Sequence, residues 1–179
     1  MSRKSMLQSA VIWSIGDTIA QYMSFYSSSS SKVSDGAVAA GFFDQFDTRR
    51  TLIAASYGGL VFTPIASRWY QHVVRLFPQT TLPSITRRVL ADQLLWSPVA
   101  LAIYFSTMSL VHLGPSIDAV HDVQYKIGTV LPPTLVTNWM FWMPLQFVNF
   151  FFVAPHRWIL TVNLAAIPWT AYLSYMEAK

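Results

Sequence analysis

The longest uncharged run of the chain lies between Lys126 and Arg157, and it restricts what the chain can fold into. A helix needs roughly 20 predominantly apolar residues to cross a bilayer, and the stretch that begins at Thr134 is long enough. Polar or indole-bearing residues recur in it at three- and four-residue spacing: Asn138, Trp142, Gln146 and Asn149. At about 100° per residue, this spacing places them on one helix face. A polar stripe on a membrane-length helix faces protein or water rather than lipid.

A low content of charged residues separates this chain from soluble proteins. Hydrophobic residues make up 53% of its 179 residues and charged residues only 11%. Soluble domains carry about 25% charged residues. A soluble protein with an oversized core fits poorly, because a chain of this length has too much surface to cover. The composition therefore predicts an integral membrane protein.

The basic residues are distributed as membrane anchors rather than as a nucleic-acid tract. The net charge is +4, and basic pairs stand at the ends of apolar segments: Arg3-Lys4, Arg49-Arg50 and Arg87-Arg88. Such pairs are typical of the membrane interface, near anionic headgroups. We therefore expect the lipid bilayer as a partner and no direct binding of nucleic acid. Cysteine is absent, which excludes disulfides and thiolate chemistry.

The hydrophobic pattern predicts an all-α, multipass transmembrane helical bundle that forms a single membrane domain over 1–179. About four spans are expected, together with a short amphipathic connector and a C-terminal helix. The predicted helices are 5–24, 49–77, 83–113, 132–153 and 155–176. A Ser-rich flexible loop at 25–48 and the connector at 114–131 lie between them. Four prolines are expected to bend helices: Pro64, Pro98, Pro144 and Pro155. The last helix is a further span, a half-span or an extension of the fourth helix, and the sequence does not decide among these.

Two ionisable residues in predicted helices each have two interpretations. If the first helix spans the membrane, Asp17 lies in or near the hydrocarbon; alternatively, this helix is amphipathic and lies at the interface. Arg68 precedes Trp69-Tyr70, two aromatic residues typical of the membrane interface. It either marks the membrane exit or lies deeper and pairs with an acidic residue. Asp92 has a local explanation, because Arg88 stands four residues before it and could pair with it.

Several stretches in a fixed order resemble one known family. They are Gly16-Asp17 with Gln21, Gly58-Gly59 with Pro64 and Trp69-Tyr70, Asp92-Gln93 with Pro98, Asn138-Trp139 through Asn149-Phe150 to Arg157, and Trp169 with Tyr172-Leu173-Ser174. Together they resemble the family of Mpv17, peroxisomal membrane protein 22 and Sym1. The resemblance implies a multipass helical protein of the mitochondrial inner or peroxisomal membrane. It further implies a link to pores for small solutes, and it implies no cofactor and no catalytic residue.

Two functional interpretations account for the polar residues of the helices. In the first, the chain is a weakly selective channel for small solutes that supports mitochondrial or peroxisomal homeostasis, with a homo-oligomer as one form of assembly. The candidate pore-lining or intramembrane polar residues are Asp17, Gln21, Arg68, Asp92, Gln93, Asn138, Gln146, Asn149 and Arg157. In the second, the chain is a non-conducting structural or assembly protein, whose polar groups are dry and paired, as in Asp17 or Asp92 with Arg68.

The third functional class is an enzyme, and the sequence argues against this function. No pair of histidines has the i, i+4 spacing of a metalloprotease helix, and phosphate-binding and nucleophile-elbow motifs are absent. We therefore expect no enzyme, no metal and no cofactor. The C-terminal residues Met-Glu-Ala-Lys differ from the S-K-L peroxisomal address. This favours the mitochondrial inner membrane, with the peroxisomal membrane as the alternative.

Overall fold

The computed structural model describes residues 3–32 and 41–177, which are almost entirely helical and contain no strand. The predicted all-α class is confirmed. The α-helices are α1 (Arg3–Lys32), α2 (Phe42–Gln45), α3 (Thr48–Ser56), α4 (Thr63–Leu76), α5 (Leu82–Ala91), α6 (Ser97–Leu113), α7 (Ile117–Tyr125), α8 (Leu131–Phe152) and α9 (Trp158–Glu177). Segments of π-helix join α3 to α4 (Tyr57–Phe62), α5 to α6 (Asp92–Trp96) and α7 to α8 (Lys126–Val130). A 3₁₀ turn, Pro155–Arg157, precedes α9.

Helix α1 is longer than the sequence predicted. It continues through the five serines to Lys32, whereas the prediction ended the helix at residue 24 and assigned 25–48 to a flexible loop. Once a helix exists, each further residue adds a hydrogen bond, and serine has only a modest preference against the helix. No glycine or proline interrupts residues 25–32. Residues 33–40 of the predicted loop lie outside the described residues.

Each of the three π-helical segments ends two residues before a proline. At the first, the N–H of Thr63 donates to the carbonyl of Gly58, five residues back, and Pro64 follows. The same pattern precedes Pro98 and Pro132. Proline lacks an N–H and its ring clashes with the carbonyl four residues back, so a widened turn before it relieves the clash. Of the other prolines expected to bend helices, Pro144 lies inside α8 and Pro155 opens the 3₁₀ turn.

The chain divides into two compact units. The first unit comprises Met1–Pro64 and Val162–Ala178, and the second comprises Ile65–Thr161. In the first unit, α1 packs closely on two neighbours because glycines stand at the contacts. A Cβ on Gly58 would overlap the side chain of Trp13, and a Cβ on Gly16 would lie 3.0 Å from Cβ of Thr170 in α9. Small residues at such positions allow helix backbones to approach in membranes.

The second unit has a core of aliphatic and aromatic side chains. Phe105, Ile85 and Val73 are fully buried. Tyr70, Phe150 and Trp158 pack edge to face, with ring centroids 4.8 Å apart for the last two. Edge-to-face packing of this kind stabilises a core beyond the burial of its surface.

On α1 and α8, apolar side chains are exposed and polar side chains are buried, a pattern inverted relative to that of a soluble protein. On α1, Leu7, Val11, Ile15 and Ile19 are exposed at four-residue spacing, while Ser9, Asp17 and Gln21 are buried. On α8, Val136, Met140 and Val148 are exposed, while the amides of the predicted stripe are buried. Apolar surface around a polar interior suits lipid and is unfavourable in water.

One helix of the described residues is long and apolar enough to cross a membrane. It runs through α5, the π-segment and α6, from Leu82 to Leu113, and has 32 residues. It contains the predicted helix 83–113. Together with the inverted pattern of exposure, it agrees with the predicted integral membrane protein.

The α6–α7 connection is held by an acidic residue outside the membrane-length helix. Ser109 Oγ donates to Oδ2 of Asp122 (2.6 Å), and Lys126 Nζ lies 2.9 Å from the same atom. Burial by itself raises the pKa of Asp122, but the hydrogen bonds from Ser109 and Lys126 and the charge of Lys126 outweigh it, so the net pKa is lowered.

A lowered folded-state pKa at Asp122 predicts a loss of stability in acid. The stabilising contribution of ionised Asp122 is complete above its unfolded-state pKa of about 4. It is lost as the pH falls through the lower, folded-state pKa. We expect the unfolding temperature of Asp122→Asn to depend less on pH than that of the wild type between pH 6 and pH 3 (about the range in which carboxylates titrate). Thermal unfolding in detergent measures this. If the unfolding temperatures of the two proteins changed equally with pH, the prediction would be contradicted.

Candidate functional site

A buried carboxylate lies at the centre of the polar residues of the second unit. Asp92 is 2% exposed and opens the π-segment between α5 and α6. Its Oδ1 accepts a hydrogen bond from Trp69 Nε1 (2.9 Å), and its Oδ2 accepts from Gln93 Nε2 (2.8 Å) and Gln146 Nε2 (2.9 Å). All three donors are neutral, and no ion pair is recorded for Asp92 among the described residues.

Gln93 links Asp92 to α8. Its Nε2 donates to the carboxylate, while its Oε1 accepts from Asn138 Nδ2 (3.1 Å) and from Ser97 Oγ (3.3 Å). Its backbone carbonyl accepts from Trp139 Nε1 (2.9 Å). This carbonyl lacks a helical partner, because the N–H of Ser97 bonds to Asp92 and the following Pro98 has no N–H. Because of the π-segment, the carbonyl of Gln93 has no helical donor, and it accepts instead from Trp139 of α8.

Gln146 extends the network along α8. Its Nε2 donates both to Asp92 and to the hydroxyl of Tyr70 (2.7 Å), and its Oε1 accepts from Asn149 Nδ2 (3.1 Å). The amides of Gln93 and Gln146 thus direct N–H groups at the carboxylate and receive N–H groups on their oxygens. Both oxygens of Asp92 therefore accept only from neutral N–H donors. Asn149 Oδ1 is buried and has no hydrogen-bond partner among the described residues.

A second carboxylate, in the first unit, has a different environment. Asp17 Oδ1 pairs with Arg50 Nε (2.8 Å), and its Oδ2 accepts from Thr51 Oγ1 and Gln21 Nε2 (both 2.8 Å). Gln21 also accepts from the backbone N–H of Asp47 and donates to its carbonyl. Because Asp47 is the N-cap of α3, this cluster fastens the start of α3 to α1.

The structure brings together five of the residues that the sequence singled out: Asp92, Gln93, Asn138, Gln146 and Asn149. It places Asp17 and Gln21 in the cluster of the first unit. Arg68 and Arg157 are exposed. The predicted pairing of Arg68 with Asp17 or Asp92 is wrong, because Asp17 forms an ion pair with Arg50 and Asp92 accepts hydrogen bonds from neutral donors. The local Arg88–Asp92 pair is not formed either, since Arg88 donates to the carbonyls of Phe77 and Gln79.

Several residues of the two sites were not anticipated from the sequence. Trp69 and Trp139 donate their indole N–H groups, and Arg50 provides the cation for Asp17. Trp69 was interpreted as an interfacial aromatic and Arg50 as an anchor. A buried carboxylate must find donors, but nothing in the local pattern indicates which helix supplies them.

Sequence similarity to known proteins extends over nearly the whole chain. A model of the Mpv17 / PMP22 family matches residues 118–174. The chain is 34% identical to protein SYM1 of Saccharomyces cerevisiae over 178 residues, which are 97% of this chain and 82% of that protein. It is 35% identical to protein SYM1 of Kluyveromyces lactis, covering 75% of this chain and 68% of that one. With protein SYM1 of Mycosarcoma maydis it shares 30% identity, over 98% of this chain and 79% of that one. No solved structure matches.

Proposed function

Because the chain belongs to the Mpv17 / PMP22 family of organellar membrane proteins, we propose that it is a weakly selective channel for small solutes. The inner mitochondrial membrane is the proposed location, with the peroxisomal membrane as the alternative. We further propose about four spans, formed by α1, by α3 with α4, by α5 with α6, and by α8. Exposed apolar side chains on α1 and α8 support this arrangement, because they suit contact with lipid.

The observation that carries the proposal is the buried carboxyl group of Asp92, which has no ion-pair partner among the described residues. A carboxylate that serves only to hold helices together is best paired, as Asp17 is with Arg50. Asp92 instead lies in a membrane-length helix with three neutral donors. An ionisable residue in that position is costly, and such residues mark the paths of ions and solutes.

The proposed path for a solute runs through the hydrogen-bond network of the second unit. Amide side chains can exchange their mutual hydrogen bonds for bonds to water or to a polar solute at little net cost. Asn149 Oδ1 already has no partner among the described residues and offers a free acceptor. Pro144, inside α8, removes one backbone hydrogen bond close to Gln146. We therefore propose that bending of α8 opens the network and that Asp92 favours cations.

Conductance in a planar bilayer tests the role of Asp92. We expect discrete steps from the purified wild-type protein with a preference for cations. Asp92→Asn keeps the side-chain volume and removes the charge, so it should lower the cation-to-anion permeability ratio by on the order of threefold to tenfold. Asp118→Asn, at an exposed position on α7, removes the same charge and should leave the ratio unchanged. Equal ratios for the wild type and Asp92→Asn would contradict the proposal.

A non-conducting structural role is the second candidate, and the first unit favours it. There, Ser9 Oγ accepts from Thr63 Oγ1 and from Asn163 Nδ2, both at 2.6 Å, and joins α1, α4 and α9. All three side chains are buried. Buried contacts of this kind hold helices together without water. A silent bilayer from folded wild-type protein would favour this role over the channel.

A further inference from the structure

One end of the second unit is held together by a buried arginine. Arg88 Nε and Nη2 donate to the carbonyl of Phe77 (2.9 and 2.6 Å), and Nη2 also donates to the carbonyl of Gln79 (2.9 Å). Its guanidinium lies 5.7 Å from the centroid of the Trp158 ring. The turn after α4, the last turn of α5 and the start of α9 therefore meet at this point.

The surface at this end carries exposed basic side chains. We call it the basic end and define it by Arg68, His72, Arg75, Arg87 and Arg157, all of them exposed. No aspartate or glutamate occurs between Asp47 and Asp92 or between Asp122 and Glu177. The acidic residues Asp118 and Asp122 lie beyond the other end of the Leu82–Leu113 helix, on α7.

Three of these residues form a narrow stripe on α4. Arg68, His72 and Arg75 follow at four- and three-residue spacing, which places them within an arc of about 60° and within about 10 Å along the helix axis. The opposite face of α4 is buried through Ala66, Tyr70 and Val73. None of the three makes a hydrogen bond or an ion pair with the described residues, so the two guanidinium groups of the stripe are available to an external anion.

We propose that the basic end binds the headgroup of an anionic phospholipid, with Arg68 and Arg75 contacting phosphate oxygens. The planar guanidinium matches the geometry of a phosphate group and binds it through paired hydrogen bonds. Exposed leucines continue from this end along α5 and the π-segment: Leu82, Leu90 and Leu94. They offer apolar surface for acyl chains, which a soluble phosphate compound would not use. The site does not depend on conduction, and none of its basic side chains donates to Asp92.

A lipid titration of the detergent-purified protein tests the site. Dioleoyl-phosphatidylglycerol is the anionic probe, and dioleoyl-phosphatidylcholine is the zwitterionic comparison; native mass spectrometry measures the bound lipid. Two charges near a membrane surface contribute enough for Arg68→Gln/Arg75→Gln to weaken binding of the anionic lipid by about 30-fold. Binding of phosphatidylcholine should be weak and the same in both proteins. The unfolding temperature without lipid should not change, because neither arginine has a recorded polar partner among the described residues.

A matched variant separates a site from the effect of net charge. Arg3→Gln/Lys4→Gln removes the same charge from the first unit and should leave binding within about twofold of the wild type. Equal losses in the two double variants would overturn the proposal, since binding would then follow net charge alone. Displacement of phosphatidylglycerol by millimolar inorganic phosphate would also overturn it, in favour of a site for soluble anions. Lost binding in the stripe variant, without such displacement, supports the lipid site.

Discussion

Replacement of Gly58 by alanine should destabilise the protein by about 3 kcal/mol. The added Cβ would overlap the side chain of Trp13, and Trp13 is itself fixed between the rings of Tyr57 and Phe62. The indole therefore cannot move aside without breaking this packing, and α1 would have to separate from the π-segment. For a chain of this size the change corresponds to a fall in unfolding temperature of about 6–12 °C. Thermal unfolding in detergent measures it.

Gly128 is the control for this prediction. It also lies in a π-helical segment, and a Cβ built on it would meet nothing within 4 Å. Gly128→Ala should therefore leave stability unchanged or raise it by up to about 1 kcal/mol, the size of the helix preference of alanine over glycine in an exposed position. Similar losses in the two variants would show that the loss at Gly58 reflects the π-helix rather than contact with Trp13.

Arg88→Gln should lower the free energy of unfolding by about 2–4 kcal/mol. Arg88 is 3% exposed, and its loss leaves two carbonyls after α4 without their donors. The contact of the guanidinium with Trp158 is lost as well, which removes a further stabilising interaction. Glutamine is too short to replace both hydrogen bonds. Chemical unfolding in detergent free of anionic lipid measures the loss.

The neighbouring arginine provides the matched control. Arg87→Gln makes the same substitution at an exposed position, and its effect on stability should be within about 0.5 kcal/mol. If both substitutions had small and equal effects, Arg88 would not hold the turn between α4 and α5. The description of the basic end as held together by Arg88 would then be wrong, although the stripe on α4 would remain.

The sequence alone was sufficient for the class of the protein and for the faces of its helices. The scarcity of charge and the uncharged run before Arg157 indicated a membrane protein. The spacing of Asn138, Gln146 and Asn149 placed them on one buried face of α8, as observed. These features depend on composition and on the period of a helix, which are local properties of the chain. The end of α1 was not predictable, because serine neither favours nor stops a helix strongly.

Only the tertiary structure decided which polar groups are partners. Asp17 pairs with Arg50 rather than with Arg68, and Asp92 receives neutral donors rather than Arg88. Of two adjacent arginines, Arg88 is buried and Arg87 is exposed. A helical period specifies the face on which a residue lies, but a hydrogen bond between two helices requires its two atoms to approach within about 3 Å. That distance depends on helix packing, here on the glycines beside α1 and on the widened turns before three prolines.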